Sequence, residues 1–212
     1  MKRENLATHA FALYCFLLAL YLSVGGWMQG RFGLWGLTFN EVVFLLAPGL
    51  LYARVFGLSW KNYFPLAVPA WRDFLLVLLL TALVIAPIEL LIHLQENFWP
   101  LPKSVQTFYE GLVARNNWYD GLIQFFALAF VPAVCEEFFF RGLLYRMMEP
   151  RFGTVKTILL TALFFALAHM NPWYLLYYFL LGVYFGWLRS WKGNLVLCIL
   201  AHFINNLYSL YG

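Results

Sequence analysis

Apolar runs long enough to cross a lipid bilayer take up most of this chain, which leaves few folds open to it. Spans of about 17 to 25 apolar residues fall near 8–28, 37–56, 72–95, 121–148, 155–170, 173–190 and 194–211. Of the 212 residues, 63% are hydrophobic and 11% charged, with a mean hydropathy of +0.72. Soluble domains carry about a quarter of their residues as charges. The expected fold is all-α, a polytopic bundle of about seven transmembrane helices. Residues 1–212 then form a single membrane domain with no room for a separate soluble one. Only Met170-Asn171-Pro172 separates the fifth and sixth spans, which predicts a tight antiparallel hairpin. Segment 103–118 is too polar to span and is expected at the interface.

All nine tryptophans stand at or within a few residues of a span end, as an aromatic belt requires. Lysine and arginine set the orientation. With the N-terminus inside, Lys2, Arg3, Arg54, Lys61, Arg72, Arg146, Arg151, Lys156, Arg189 and Lys192 lie on the inner side. Only Arg31, Lys103 and Arg115 lie on the outer side. The bias predicts a cytoplasmic N-terminus and an outer C-terminus, in a prokaryotic plasma membrane. The first span is too long for a signal-peptide core and lacks a small-residue cleavage site, so it is expected to be retained. The net charge of +4 is then a topology signal and does not imply nucleic-acid binding.

Cys15, Cys135 and Cys198 all fall within spans, and an odd, scattered set is no disulfide framework. Cys198 and His202 do share a helix face at i, i+4, so spacing alone leaves a thiol nucleophile open.

Charges within spans need a reason, because each costs about 3 kcal/mol at the bilayer centre even on lenient scales. Residues 136–141 read Glu-Glu-Phe-Phe-Phe-Arg. Adjacent glutamates point about 100° apart around a helix. Glu137 and Arg141 stand at i, i+4 with the acid first, the favourable order for an ion pair. That leaves Glu137 and Arg141 in a supporting role and Glu136 free for chemistry. His169 closes the fifth span, and His202 and Asn206 share one face of the seventh, one turn apart. Taken singly, these are packing or interfacial residues. A second acid and imidazole pair, Glu89 and His93, follows Pro87 in the third span and leaves ion or proton transport open.

Glu136-Glu137-x-x-x-Arg141, Phe165-x-x-x-His169 and His202-x-x-x-Asn206 resemble, in order, the three motifs of the CPBP family of type II CAAX prenyl endopeptidases and bacteriocin-processing, Abi-like proteins. The flanks Phe140-Arg141-Gly142-Leu143-Leu144-Tyr145 and Gly193-Asn194-Leu195 are similar too. The resemblance covers 121–212, which makes that stretch the catalytic core; residues 1–120 add only compatible spans. It implies a glutamate-type intramembrane protease acting on a membrane-associated protein or peptide. In that reading Glu136 is the general base, His169 helps hold the water, and His202 with Asn206 binds the oxyanion. No cofactor is required. A zinc protease using Glu136, His169 and His202 is the nearest alternative, although the His-Glu-x-x-His helix of common zinc proteases is absent. A non-catalytic immunity or scaffolding protein is the other alternative.

Overall fold

The computed structural model describes residues 3–115 and 117–211, which fold into helices joined by short loops, with no β-strand among them. Lys2, used above to set orientation, lies outside the described residues. Helix α1 covers 3–32, α2 Leu34–Val55, α3 Trp60–Tyr63 and α4 Trp71–Glu96. After them come α5 at Lys103–Val113, α6 at 118–152, α7 at 154–168, α8 at Leu175–Lys192 and α9 at Leu195–Tyr211.

Helices α6 and α7 part at Gly153, which takes φ 73° and ψ 168° just after Pro150, and the chain folds back there, so that Phe165 packs on Phe140 and His169 returns to Glu136. Only glycine adopts that backbone without strain. The chain therefore turns where the sequence places the join between the fourth and fifth spans.

Four segments are long and apolar enough to cross a membrane: Leu6–Phe32, Leu34–Val55, Trp71–Glu96 and the stretch Trp118–Ala168 that holds α6 and α7; α9 is apolar but shorter. Helix α4 buries Val77, Thr81, Ile85, Ile88 and Ile92 and exposes Leu75, Leu79, Leu83 and Leu90. A continuous apolar outer surface of this kind suits lipid, not water. The protein is an integral membrane protein. Segment 103–118 contributes the short helix α5, with exposed Phe108 and Val113.

Helices α7 and α8 make the expected hairpin, and small residues let them approach closely. A Cβ at Gly182 would stand 2.8 Å from the Cα of Ala162, and one at Gly186 would stand 3.1 Å from Ile158. The turn is closed by Asn171, whose Oδ1 accepts from the backbone N–H groups of Trp173 and Tyr174.

The polar groups at one end of the bundle knit the loops to the helices. Lys192 pairs with Asp73 at 2.7 Å, Arg189 donates to the carbonyls of Arg141 and Asn62, and Asn194 donates to that of Ala67. Toward the other end lies a cavity of about 540 Å³, lined by residues of α1, α2, α5, α6, α8 and α9 and of the loop after α7. Four π-helical turns, Tyr21–Gly25, Glu41–Leu46, Phe125–Phe130 and Phe138–Leu144, interrupt α1, α2 and α6. Such insertions re-aim side chains and are frequent at functional sites.

Candidate active site

The centre of the C-terminal half is a fully buried cation. Arg141 Nη1 donates to Glu137 Oε1 at 2.7 Å, and its Nη2 donates to the carbonyl of Gly182 at 3.0 Å. The guanidinium lies over the rings of Phe165 and Phe185, with its carbon 4.6 and 5.2 Å from their centroids. Aromatic faces and a carboxylate are among the few partners that tolerate a buried guanidinium. Arg141 thus ties α6, α7 and α8 together at one point.

Glu137 has a second partner that spacing does not reveal. His202 Nδ1 stands 3.0 Å from the same Oε1. An ionised carboxylate offers only acceptor sites, so the shared proton is on Nδ1 and Nε2 holds a lone pair. The ring is stacked on Phe185, with centroids 4.9 Å apart. Glu137 therefore carries α9 to α6 as well as pairing with Arg141. This changes the chemistry available to His202. It is not a free donor from its helix face, and it can donate from Nε2 only as an imidazolium, a state that Glu137 is placed to stabilise.

Glu136 points the other way, onto the cavity. Its Oε2 has no hydrogen-bond partner and lies 3.9 Å from His169 Nε2. The Nδ1 of His169 lies 2.8 Å from the carbonyl of Phe165, one turn earlier on α7. A carbonyl can only accept, which puts the proton on Nδ1 and aims an Nε2 lone pair toward Glu136. Tyr178 of α8 stacks on the imidazole with centroids 3.7 Å apart and fixes its plane.

Asn206 lines the same cavity, with its Nδ2 only 3.5 Å from the carbonyl of Ala129, a weak contact that leaves the amide available. Its neighbour Asn205 is buried and accepts from Tyr177 at 3.0 Å, which anchors this end of α9 to α8. Glu136, His169, His202 and Asn206 all line one cavity, although they come from α6, α9 and the residue that ends α7. Glu137 and Arg141 lie behind it.

Other residues singled out in the sequence stand elsewhere. Glu89 and His93 do not line the cavity, and His93 is exposed. The Cys198 thiol is buried against the carbonyls of Phe185 and Asn194 at 3.6 Å and does not reach the cavity either. Sequence reasoning missed Glu41. It is 4% exposed, accepts from the Tyr21 hydroxyl at 3.2 Å, and lines the cavity with Glu136. The signal was present, since Glu41 is an acid inside a predicted span. Tyr21, Tyr178 and Asn205 carried no such signal.

The donor types on the cavity suit zinc, and both imidazoles have Nδ1 anchored as metal-binding histidines usually do. Their separation does not suit it. Among the described residues, no three His, Cys, Asp or Glu side chains are grouped as a metal ion requires.

A membrane-buried carboxylate beside an oriented imidazole and the Asn206 amide is a set of groups that can activate a water and hold an oxyanion. Residues 117–208 match the family model described as type II CAAX prenyl endopeptidase Rce1-like. This C-terminal part of the chain is similar to that family. The match runs from the start of α6 into α9 and leaves α1 to α5 outside it. Comparison of the chain with curated proteins and with solved structures finds no match.

Proposed function

We propose that the protein is an intramembrane endopeptidase that hydrolyses a peptide bond of a membrane-associated protein or peptide with a water activated by Glu136. The observation that carries this reading is the 3.9 Å gap between Glu136 Oε2 and His169 Nε2. Both atoms are acceptors, and a water between them could donate one hydrogen to each while keeping a lone pair for the substrate carbonyl. As the oxygen adds to that carbonyl, Glu136 takes one proton of the water. The oxyanion is stabilised by the Asn206 amide, and the His202 ring one turn earlier on α9 lines the cavity beside it. Glu137 fixes the His202 ring, and Arg141 fixes Glu137. Substrate enters a cavity whose walls are mostly apolar, as suits a lipidated or membrane-embedded segment.

Residues 1–212 act in this reading as one membrane domain of about seven crossings, with 121–212 as its catalytic core. The N-terminus is cytoplasmic and the C-terminus is outside. The direct test is cleavage of a quenched-fluorescent peptide ending in a farnesyl-cysteine CAAX sequence by the full chain in proteoliposomes, wild type against Glu136→Gln. The variant is expected to lose on the order of 100-fold or more in turnover. Near-normal turnover would remove Glu136 from the role of base.

The anchored Nδ1 atoms of both histidines favour one second reading, zinc held by Glu136, His169 and His202. Metal analysis of active protein, with activity before and after chelation, separates the two. A stoichiometric metal lost in step with activity would support zinc. A purely binding role as an immunity or scaffolding protein predicts that Glu136→Gln retains full biological function.

A further inference from the structure

The cavity has a second acid, supplied by the part of the chain that the family model does not cover. Glu41 opens the π turn Glu41–Leu46 of α2, and its hydrogen-bond donor Tyr21 opens the π turn Tyr21–Gly25 of α1. The two turns are clamped together. Asn40 Nδ2 donates to the carbonyl of Gly25 at 2.8 Å, and a Cβ on Gly25 would stand 3.2 Å from that nitrogen. The π turn of Glu41 packs on the segment Val131–Glu137 that bears Glu136.

Glu41 and Glu136, at 4% and 8% exposure, each present a buried Oε2 with no partner, and both line the cavity. Among the described residues, no lysine or arginine lines it. The groups around Glu41 supply no cation either. Helix α1 brings Tyr21, with Tyr14 bonded to the Phe164 carbonyl, His9 bonded to Tyr52, and the exposed Cys15. Helix α6 brings Cys135 and Glu136, while Arg141 is paired with Glu137. Among the described residues, His169 and His202 are the remaining ionisable groups on the cavity besides tyrosines.

We propose that Glu41 is the general acid of this site, sharing one proton with Glu136 and delivering it to the amine that leaves when the peptide bond breaks; the assignment rests on the peptidase reading above. Two carboxylates without a cation in a low-dielectric cavity do not both ionise, and a pair that shares one proton holds one base and one acid at all times. In the first step the water oxygen bonds to the scissile carbonyl carbon and one water proton goes to Glu136. In the second the C–N bond breaks, its electron pair goes to nitrogen, and nitrogen takes the proton of Glu41. The cycle closes when the proton on Glu136 passes to Glu41. Water is the only co-reactant. Tyr21, donating to Glu41 Oε1, stabilises the anion formed in the second step.

The test uses the full chain in proteoliposomes, with the farnesyl-cysteine CAAX peptide and its depsipeptide analogue, in which oxygen replaces the scissile N–H. An alkoxide can leave without prior protonation and an amide nitrogen cannot. Glu41→Gln is therefore expected to lose about 100-fold or more on the amide and far less on the ester, whereas Glu136→Gln loses both. Unchanged amide turnover in Glu41→Gln, or equal losses on the two linkages, overturns the role of Glu41. Failure of the wild type to cut either probe counts against the peptidase reading instead.

A second measurement needs no substrate. Isotope-edited infrared titration of the glutamate carboxyl groups is expected to show the last cavity proton leaving the wild type at a pH about one unit or more above that for either single variant, as coupling requires. Identical midpoints in wild type and variants overturn the shared proton, whatever the substrate.

Discussion

At the scale of single residues, the adjacent acids Glu136 and Glu137 have different surroundings, and substitution should separate them. Glu137→Gln removes the partner of a fully buried arginine and of His202 together. It is expected to cost roughly 3 to 5 kcal/mol of stability, seen as a lower thermal midpoint in detergent, along with lost activity. Glu136→Gln should leave that midpoint in place, because Oε2 of Glu136 has no partner to lose. Equal destabilisation by the two variants would contradict the division. Asn206→Ala should lower kcat about 100-fold to 1000-fold with little change in KM, because an oxyanion contact strengthens only in the transition state. A variant with normal kcat and raised KM would return Asn206 to helix packing.

At the scale of elements, the α7–α8 hairpin carries the site, since α7 leads directly into His169 and α8 contributes Tyr178 and the Gly182 carbonyl that receives Arg141. Gly182 faces backbone atoms that cannot rotate away. Gly182→Ala is therefore expected to force the helices apart and cost about 1 to 3 kcal/mol as overpacking. Gly30→Ala, with nothing within 4 Å of its added carbon, is the matched control. A thermal midpoint for Gly182→Ala equal to that of the control would show that the hairpin has slack. The sequence announces this hairpin through Met170-Asn171-Pro172. It says nothing of the π turns, which depend on how neighbouring helices push one residue out of register.

At the scale of the whole molecule, the basic loops that knit one end together and the cavity toward the other give the bundle a polarity. Under the orientation proposed here, the cavity opens toward the outer side of the membrane. A reporter fused to the C-terminus should be active only outside, and one inserted near Arg151 only in the cytoplasm. Finding both on the same side would mean that the α7–α8 hairpin does not cross as proposed.

Residue order alone determined the membrane class, the helical segments and the three motifs, because hydropathy, capping glycine and proline, and i, i+4 spacing are local properties. It also marked Glu137 and Arg141 as neighbours, since four residues bring two side chains to one face of a helix. Only the tertiary structure decided that His202 shares Glu137, that Tyr178 fixes the plane of His169, and that Glu41 from the N-terminal half reaches the cavity of Glu136. These meetings span 65, 9 and about 95 positions. Helix crossing angles and close glycine contacts set them, and no pattern along one helix contains that information.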